Sequence, residues 1–184
     1  MKRAVIVHCW GGRPNYAWYP WAKKELENRG YQVDVPTMPD TDNPKLSAWL
    51  RRLKEAIGEP DEALVLVGHS LGVPAILRYL ETLDQEKIGQ AVFVAGFTED
   101  LDTKELENFF ETPLDFQNIK PKSARGFVAI QSDNDPYVPL RFGTEFVEEL
   151  NAKLIIKHNA NHMSGEIGSD EACVELPELM PEID

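Results

Sequence analysis

The chain has 184 residues, 42% of them apolar, with a formal net charge of −12 and two cysteines. That length suits one domain with a real core, and the acidic balance argues against nucleic acid or an anionic membrane as partner, because both need clustered lysine and arginine. Cys9 and Cys173 stand far apart in no CxxC pair, which argues against a disulfide framework or a thiolate zinc site and suits a reducing compartment.

The first apolar run, 4–10, stops at Gly11-Gly12-Arg13-Pro14. It sits at the bottom of the range of about 7–15 residues for a signal-peptide core, lacks an A-x-A cleavage site, and reads better as a strand. No run approaches the roughly 20 apolar residues of a membrane helix, so a cytoplasmic protein is expected. Strand signals fall at 4–8, 31–35, 63–67, 90–95, 126–131 and 153–157. Most are rich in Val, Ile and Leu without strict alternation, as strands buried on both faces are. Helical patterns lie between and after them. The segment 18–29 ends at Gly30 and 45–57 ends at Gly58, and 71–83, 140–151 and 171–182 follow. Pro74 lies in the first turn of its helix, where its missing N–H removes no bond.

This alternation predicts an α/β fold: a three-layer sandwich of about six parallel strands in order 2-1-3-4-5-6, with helices on both faces. The whole chain, 1–184, reads as a single domain. The long connection 96–125 contains Phe97, Phe109, Phe110, Leu114 and Phe116. Part of it is expected to be the crossover helix and 106–110 a short helix, with a small cap-like insertion around 97–125. In such sheets ligands bind beyond the carboxyl ends of the strands, so the segments after each strand carry the search for a site.

After the third strand comes Gly68-His69-Ser70-Leu71-Gly72, which fits G-x-S-x-G. In that motif a serine sits in a strained strand-to-helix turn, with glycines where the chain passes too close to its neighbours for side chains. The turn lifts the hydroxyl to the start of a helix, whose dipole favours developing negative charge. Ser70 is therefore the expected nucleophile. A serine hydroxyl needs a base, and the chain order in such enzymes is serine, acid, histidine. Of the histidines after Ser70, His162 lies in the loop after the last strand and is the expected base, whereas His158 ends the strand itself. Between them stands Ser132-Asp133-Asn134-Asp135-Pro136. Asp135 is the expected acid because Pro136 and the following Val-Pro pair stiffen its turn, and Asp133 is assigned to turn chemistry. The oxyanion donors are expected to be the N–H groups of Leu71 and Trp10, with Gly11 as the alternative to Trp10. Gly11, Trp18, Phe109 and Phe110 are candidate walls of the substrate pocket. His8 reads as a polar residue at the end of the first strand. A nucleotide-binding reading of the same topology fails for want of a glycine-rich phosphate loop.

Taken together, the stretch His8-Cys9-Trp10-Gly11 followed by Trp18-Tyr19-Pro20-Trp21, the 68–72 turn, the 109–116 stretch, Asp135-Pro136, and Asn161-His162 followed by Glu175-Leu176-Pro177-Glu178 resemble a known family. It is the serine hydrolase family of small α/β hydrolases, which includes retinoblastoma-binding protein 9 and bacterial relatives. The resemblance spans essentially the whole chain. It implies a Ser70–Asp135–His162 triad, hydrolysis of a small ester or amide through an acyl-enzyme, and no metal or other cofactor. Cys9 departs from the glycine found in many α/β hydrolases, and Asn161 from the glycine that commonly precedes the base. The expected partner is a small-molecule ester or amide, acted on by a monomer or homodimer. The alternative is a catalytically weak binding module on a hydrolase scaffold.

Overall fold

The computed structural model describes residues 1–166 and 172–183. Six strands form one parallel sheet: β1 (Arg3–Val7), β2 (Gln32–Asp34), β3 (Leu64–His69), β4 (Gln90–Val94), β5 (Phe127–Ser132) and β6 (Lys153–Lys157). Their order is β2-β1-β3-β4-β5-β6, as expected. Between them run α1 (Tyr19–Asn28), α2 (Leu46–Ile57), α3 (Gly72–Glu81), α4 (Phe116–Ile119) and α5 (Arg141–Leu150).

The sheet divides the core in two because successive side chains of a strand point to opposite faces. Val5, Val7, Leu64 and Leu66 face one cluster, packed by Trp49 and Leu53 of α2, Leu77 of α3, and Phe142 and Phe146 of α5. Ala4, Ile6, Val65 and Val67 face the other, closed by Tyr19 and Leu26 of α1 and by Leu179 and Met180 near the C-terminus. Covering on both sides explains why the central strands carry no polar alternation: β3 and β4 are buried throughout.

Two helical expectations are corrected. The C-terminal helix expected over 171–182 is a 3-10 helix, Pro177–Glu182, with 172–176 irregular before it, while Glu171 lies outside the described residues. Pro177 and Pro181 lack the N–H an α-helical ladder needs, so the periodic apolar pattern there is met by a tighter coil. The crossover between β4 and β5 holds no full-length helix either. The stretch expected to be helical at 106–110 is one 3-10 turn, Glu107–Phe109, and α4 has four residues. The α4 turn starts on an Asp115 carboxylate that accepts the Asn118 N–H at 3.0 Å and gives way at once to a 3-10 turn containing Pro121. Arg78 of α3 holds this connection down. Its Nε donates to Phe109 O at 2.8 Å, and its terminal nitrogens donate to Thr112 O and Pro113 O and pair with Glu81. Among the described residues, no helix is long and apolar enough to cross a membrane.

Candidate active site

The carboxyl ends of β1, β3 and β5 and the loop after β6 meet at one end of the sheet. Ser70 stands in the turn between β3 and α3 with φ +52°, in the left-handed region that costs a serine about 1–3 kcal/mol. The flanking glycines make the turn possible. A Cβ on Gly68 would come within 2.9 Å of Gly72 C and Val73 N, and one on Gly72 would stand 2.1 Å from Val7 O of β1. The Ser70 N–H donates to Val94 O at 2.9 Å, which pins the turn to β4. The Leu71 N–H, next in the chain, has no acceptor among the described residues.

Opposite the elbow, the loop after β6 carries His162. Its Nδ1–H donates to Asp135 Oδ2 at 2.7 Å. The other oxygen, Asp135 Oδ1, accepts from Tyr137 N–H at 2.9 Å and Val138 N–H at 3.0 Å. The Asp135 side chain is fully buried, so this carboxylate has one orientation and holds the imidazole by Nδ1, leaving Nε2 without a partner among the described residues. His162 and Ser70 line the same cavity, of about 520 Å³.

Asp133 makes a second aspartate–histidine pair, which reads alike in sequence and differs in place. Its Oδ2 accepts from His158 Nδ1–H at 2.6 Å and its Oδ1 from Asn159 N–H at 2.9 Å. That histidine side chain is 80% exposed and outside the cavity, whereas His162 is 12% exposed. The His158 contact holds the Asp133 carboxyl below its ordinary range, with the Asn159 N–H helping. Asp133 thus ties the β5 and β6 loops together at the surface.

The loop after β1 is held at both peptides flanking Cys9. The Cys9 N–H donates to Tyr19 Oη at 3.1 Å, and Cys9 O accepts from His8 Nδ1–H at 2.9 Å and from Gly12 N–H at 3.0 Å. His8 Nε2 in turn accepts the Met38 N–H at 3.1 Å. Burial lowers the His8 pKa, opposed in part by its bond to Cys9 O, and keeps the ring neutral with one donor and one acceptor. His8 is therefore a buried brace rather than a polar end to its strand. A trans peptide sets N–H and C=O on opposite sides, so the double clamp on Cys9 O also fixes the direction of the Trp10 N–H, which has no acceptor among the described residues. The alternative donor, Gly11 N–H, is already bonded to Thr41 O at 3.1 Å.

The expected pocket walls are largely displaced. Trp18 is fully buried, and its Nε1–H donates to Met163 O at 3.1 Å, so it anchors the histidine loop from beneath. Phe109 is also fully buried, edge-on to Trp49 in the core. Neither they, Phe110 nor Gly11 line the cavity. Arg78 pulls the Phe109 backbone inward, and Phe110, Leu114 and Phe116 pack on the same core cluster, so these phenylalanines serve the fold. The wall comes instead from Phe97, Leu101, Thr103 and Leu106 earlier in the connection, and from Val138. Trp10, Tyr16 and Tyr137 stand around the rest of it. Of these, Trp10 was expected as an oxyanion donor and Phe97 as part of the long connection. Nothing in the pattern of Leu101 or Leu106 separates a cavity wall from a core position.

A six-stranded parallel sheet with a serine at a strained strand-to-helix turn, faced by an aspartate-bound histidine, defines an α/β hydrolase. Est1E from Butyrivibrio proteoclasticus has the same fold, with a TM-score of 0.70 over 88% of this chain and 80% of its own, at 14% identity. The model of the serine hydrolase family matches residues 4–176, and the chain belongs to that family. It is 34% identical to the hydrolase YdeN of Bacillus subtilis (strain 168), over 96% of this chain and 91% of that protein. The crystal structure of the B. subtilis ydeN gene product superposes with a TM-score of 0.90, covering 99% of this chain and 96% of that one. Serine hydrolase RBBP9 of Rattus norvegicus is 31% identical over 83% of this chain and 82% of its own length.

Proposed function

We propose that the protein hydrolyses small esters or amides by two-step acyl transfer, with Ser70 as nucleophile, His162 as general base and Asp135 as the acid that orients it. The observation that carries this reading is the coincidence in one cavity of a serine in a strained turn and a histidine whose remote nitrogen is bonded to a buried carboxylate. His162 Nε2 takes the Ser70 proton as Oγ attacks the carbonyl carbon. The imidazolium so formed is stabilised by Asp135, and it returns the proton to the leaving alcohol or amine. Water then attacks the acyl-enzyme with His162 again as base, and Ser70 leaves with the proton restored. The Leu71 and Trp10 N–H groups are the donors for the tetrahedral oxyanion, since both lack an acceptor among the described residues and border the cavity. The mechanism needs no metal.

The experiment is labelling with a fluorophosphonate, followed by intact mass and peptide mapping. One adduct on Ser70, lost in Ser70→Ala and unaffected by EDTA, is expected. Folded protein that takes up no adduct would remove the enzymatic reading and leave a binding module on the same scaffold.

A further inference from the structure

Tyr19 and His69 lie between the two halves of the site and belong to neither. Both are fully buried. His69 follows the β3 register into the elbow, so its ring points away from Ser70 and into the sheet face covered by α1. There its Nε2 lies 2.9 Å from the backbone carbonyl of His162 and its Nδ1 2.6 Å from Tyr19 Oη. Tyr19 Oη also takes the Cys9 N–H at 3.1 Å.

The proton directions along this chain follow from the acceptors at its ends. A carbonyl only accepts, so His69 Nε2 must carry a proton and donate it to His162 O. A neutral imidazole then has Nδ1 free to accept, so Tyr19 O–H donates to it. The Tyr19 oxygen, having donated, is free to accept the Cys9 N–H. Burial, with the neighbouring His162 imidazole adding to it, lowers the His69 pKa to about 3, and burial raises that of Tyr19 well above its ordinary range. Neither changes state at working pH, so the sequence Cys9 N–H to Tyr19 to His69 to His162 O has a single polarity. The rings pack as well as bond: Tyr19 meets His69 edge-on at 5.7 Å, and the His69 and His162 rings lie 5.2 Å apart.

We propose that Tyr19 and His69 are a positioning pair for the reaction: a buried strut that sets the distance between the oxyanion loop after β1 and the base, His162. The proposal rests on the reading of Ser70, His162 and the Trp10 N–H given above. The physical case is economy of constraint. The Trp10 N–H belongs to the peptide next to the one Tyr19 holds, and the His162 imidazole hangs on the backbone His69 holds. The two must flank one tetrahedral carbon, and a displacement of about 1 Å at such a site costs on the order of a hundredfold in rate. Other contacts tie the same two loops, but not at His162 or at the Cys9 peptides: Trp18 Nε1–H donates to Met163 O, Gly165 N–H donates to Tyr16 Oη at 3.0 Å, and Arg13 pairs with Glu166. Among the described residues, the Tyr19–His69 chain is the one that ends on the backbone of His162 itself and on a peptide of Cys9.

The test compares Tyr19→Phe, His69→Asn, His69→Gln and the double variant Tyr19→Phe/His69→Asn on p-nitrophenyl butyrate, each first shown to be folded by circular dichroism and melting. Tyr19→Phe and His69→Asn are each expected to lower kcat by about tenfold or more with KM within about threefold, because the strut acts on transition-state geometry rather than on substrate binding. In His69→Gln the longer amide places its nitrogen near the old Nε2 position and keeps the bond to His162 O, so this variant is expected to retain more activity than His69→Asn. The double variant is expected to be no worse than about threefold below the weaker single one, since both cut one chain. A second readout needs no substrate. The downfield proton signal of His162 Nδ1–H, bonded to Asp135, is expected to be sharp in the unsubstituted protein and to broaden in Tyr19→Phe. Folded Tyr19→Phe with unchanged kcat and an unchanged downfield signal overturns the proposal, and so do losses that fall on KM or multiply in the double variant. If Tyr19→Phe does not fold, equal activity of His69→Gln and His69→Asn overturns it. If instead the unsubstituted protein takes no fluorophosphonate on Ser70, the functional reading fails and the proton signal alone judges the strut.

Discussion

Ser70, Asp135 and His162 each occupy a position that costs folding energy or is overdetermined by neighbours. Ser70 has a positive φ, Met163 beside the base has φ +50° with a fully buried side chain, and Asp135 is buried with every close donor already used. Such local costs persist when the surrounding structure imposes them, and they gather at functional sites. The two aspartate–histidine pairs give a direct test of which one matters. Asp135→Asn is expected to cut kcat by several orders of magnitude, because an amide leaves the imidazole free to take the wrong tautomer. Asp133→Asn, which touches only the exposed His158 and a backbone N–H, is expected to cost tenfold or less. The reverse ranking in steady-state kinetics would falsify the assignment.

At the scale of elements, the connection between β4 and β5 does two things at once. Its first part walls the cavity with Leu101, Thr103 and Leu106, and its second part is tied to α3 through Arg78. The Arg78 side chain is 7% exposed, and it serves three carbonyls that have no other protein donor among the described residues. Arg78→Met keeps most of the packing volume and removes those donors, so the buried Phe109 carbonyl is left unpaired at about 1–3 kcal/mol, while the carbonyls of the exposed Thr112 and Pro113 turn to water. A loss of about 1–3 kcal/mol in urea unfolding is expected, with the slope unchanged. A loss under about 0.5 kcal/mol would mean that water replaces the guanidinium. Secondary-structure patterning read this connection poorly. Its apolar residues recur as in a crossover helix, yet Pro113, Pro121 and the Asp115 cap break it into single turns, and the clamp that orders them comes from a residue 30 or more positions away.

For the molecule as a whole, two consequences follow from buried neutral histidines and from the size of the site. His69 and His8 both have lowered pKa values in the folded protein, about 3 for His69, against roughly 6.5 in an unfolded chain. Between those values the unfolded chain binds more protons than the native one. Their contribution to stability is therefore complete above about pH 6.5 and is lost as the pH falls toward 3. The melting temperature is expected to hold steady near neutrality and to drop between about pH 6 and pH 4, and His69→Gln is expected to flatten that slope. An unchanged slope in the variant would place the acid sensitivity on the carboxylates. The cavity, with walls of Phe97, Leu101, Leu106 and Val138, offers apolar cover for a short acyl group. A buried methylene gains about 0.8 kcal/mol and one in water almost nothing. Rates on p-nitrophenyl esters are expected to peak at about two to four acyl carbons and to fall beyond about eight. A kcat/KM that climbs steadily to palmitate would reveal a channel deeper than this cavity.

What the sequence determined by itself is whatever depends on local spacing. Apolar runs of strand length separated by amphipathic helices imply a parallel sheet and its order. The glycines around Ser70 imply a tight strand-to-helix turn. Asp135 before a proline and His162 in a loop after the last strand are ordered as an acyl-transfer site needs. Tertiary structure alone decided what depends on residues distant in the chain. It separated the buried Asp135–His162 pair from the exposed Asp133–His158 pair, which have the same composition and nearly the same spacing. It turned Trp18 and Phe109 away from the cavity and brought Leu101 and Leu106 to it, a choice no hydrophobic pattern encodes because a cavity wall and a core position demand the same side chains. It also joined Cys9, Tyr19, His69 and the backbone of His162 across 153 positions of sequence into one hydrogen-bonded line, since a parallel sheet brings the ends of separate strands to one edge whatever the length of chain between them.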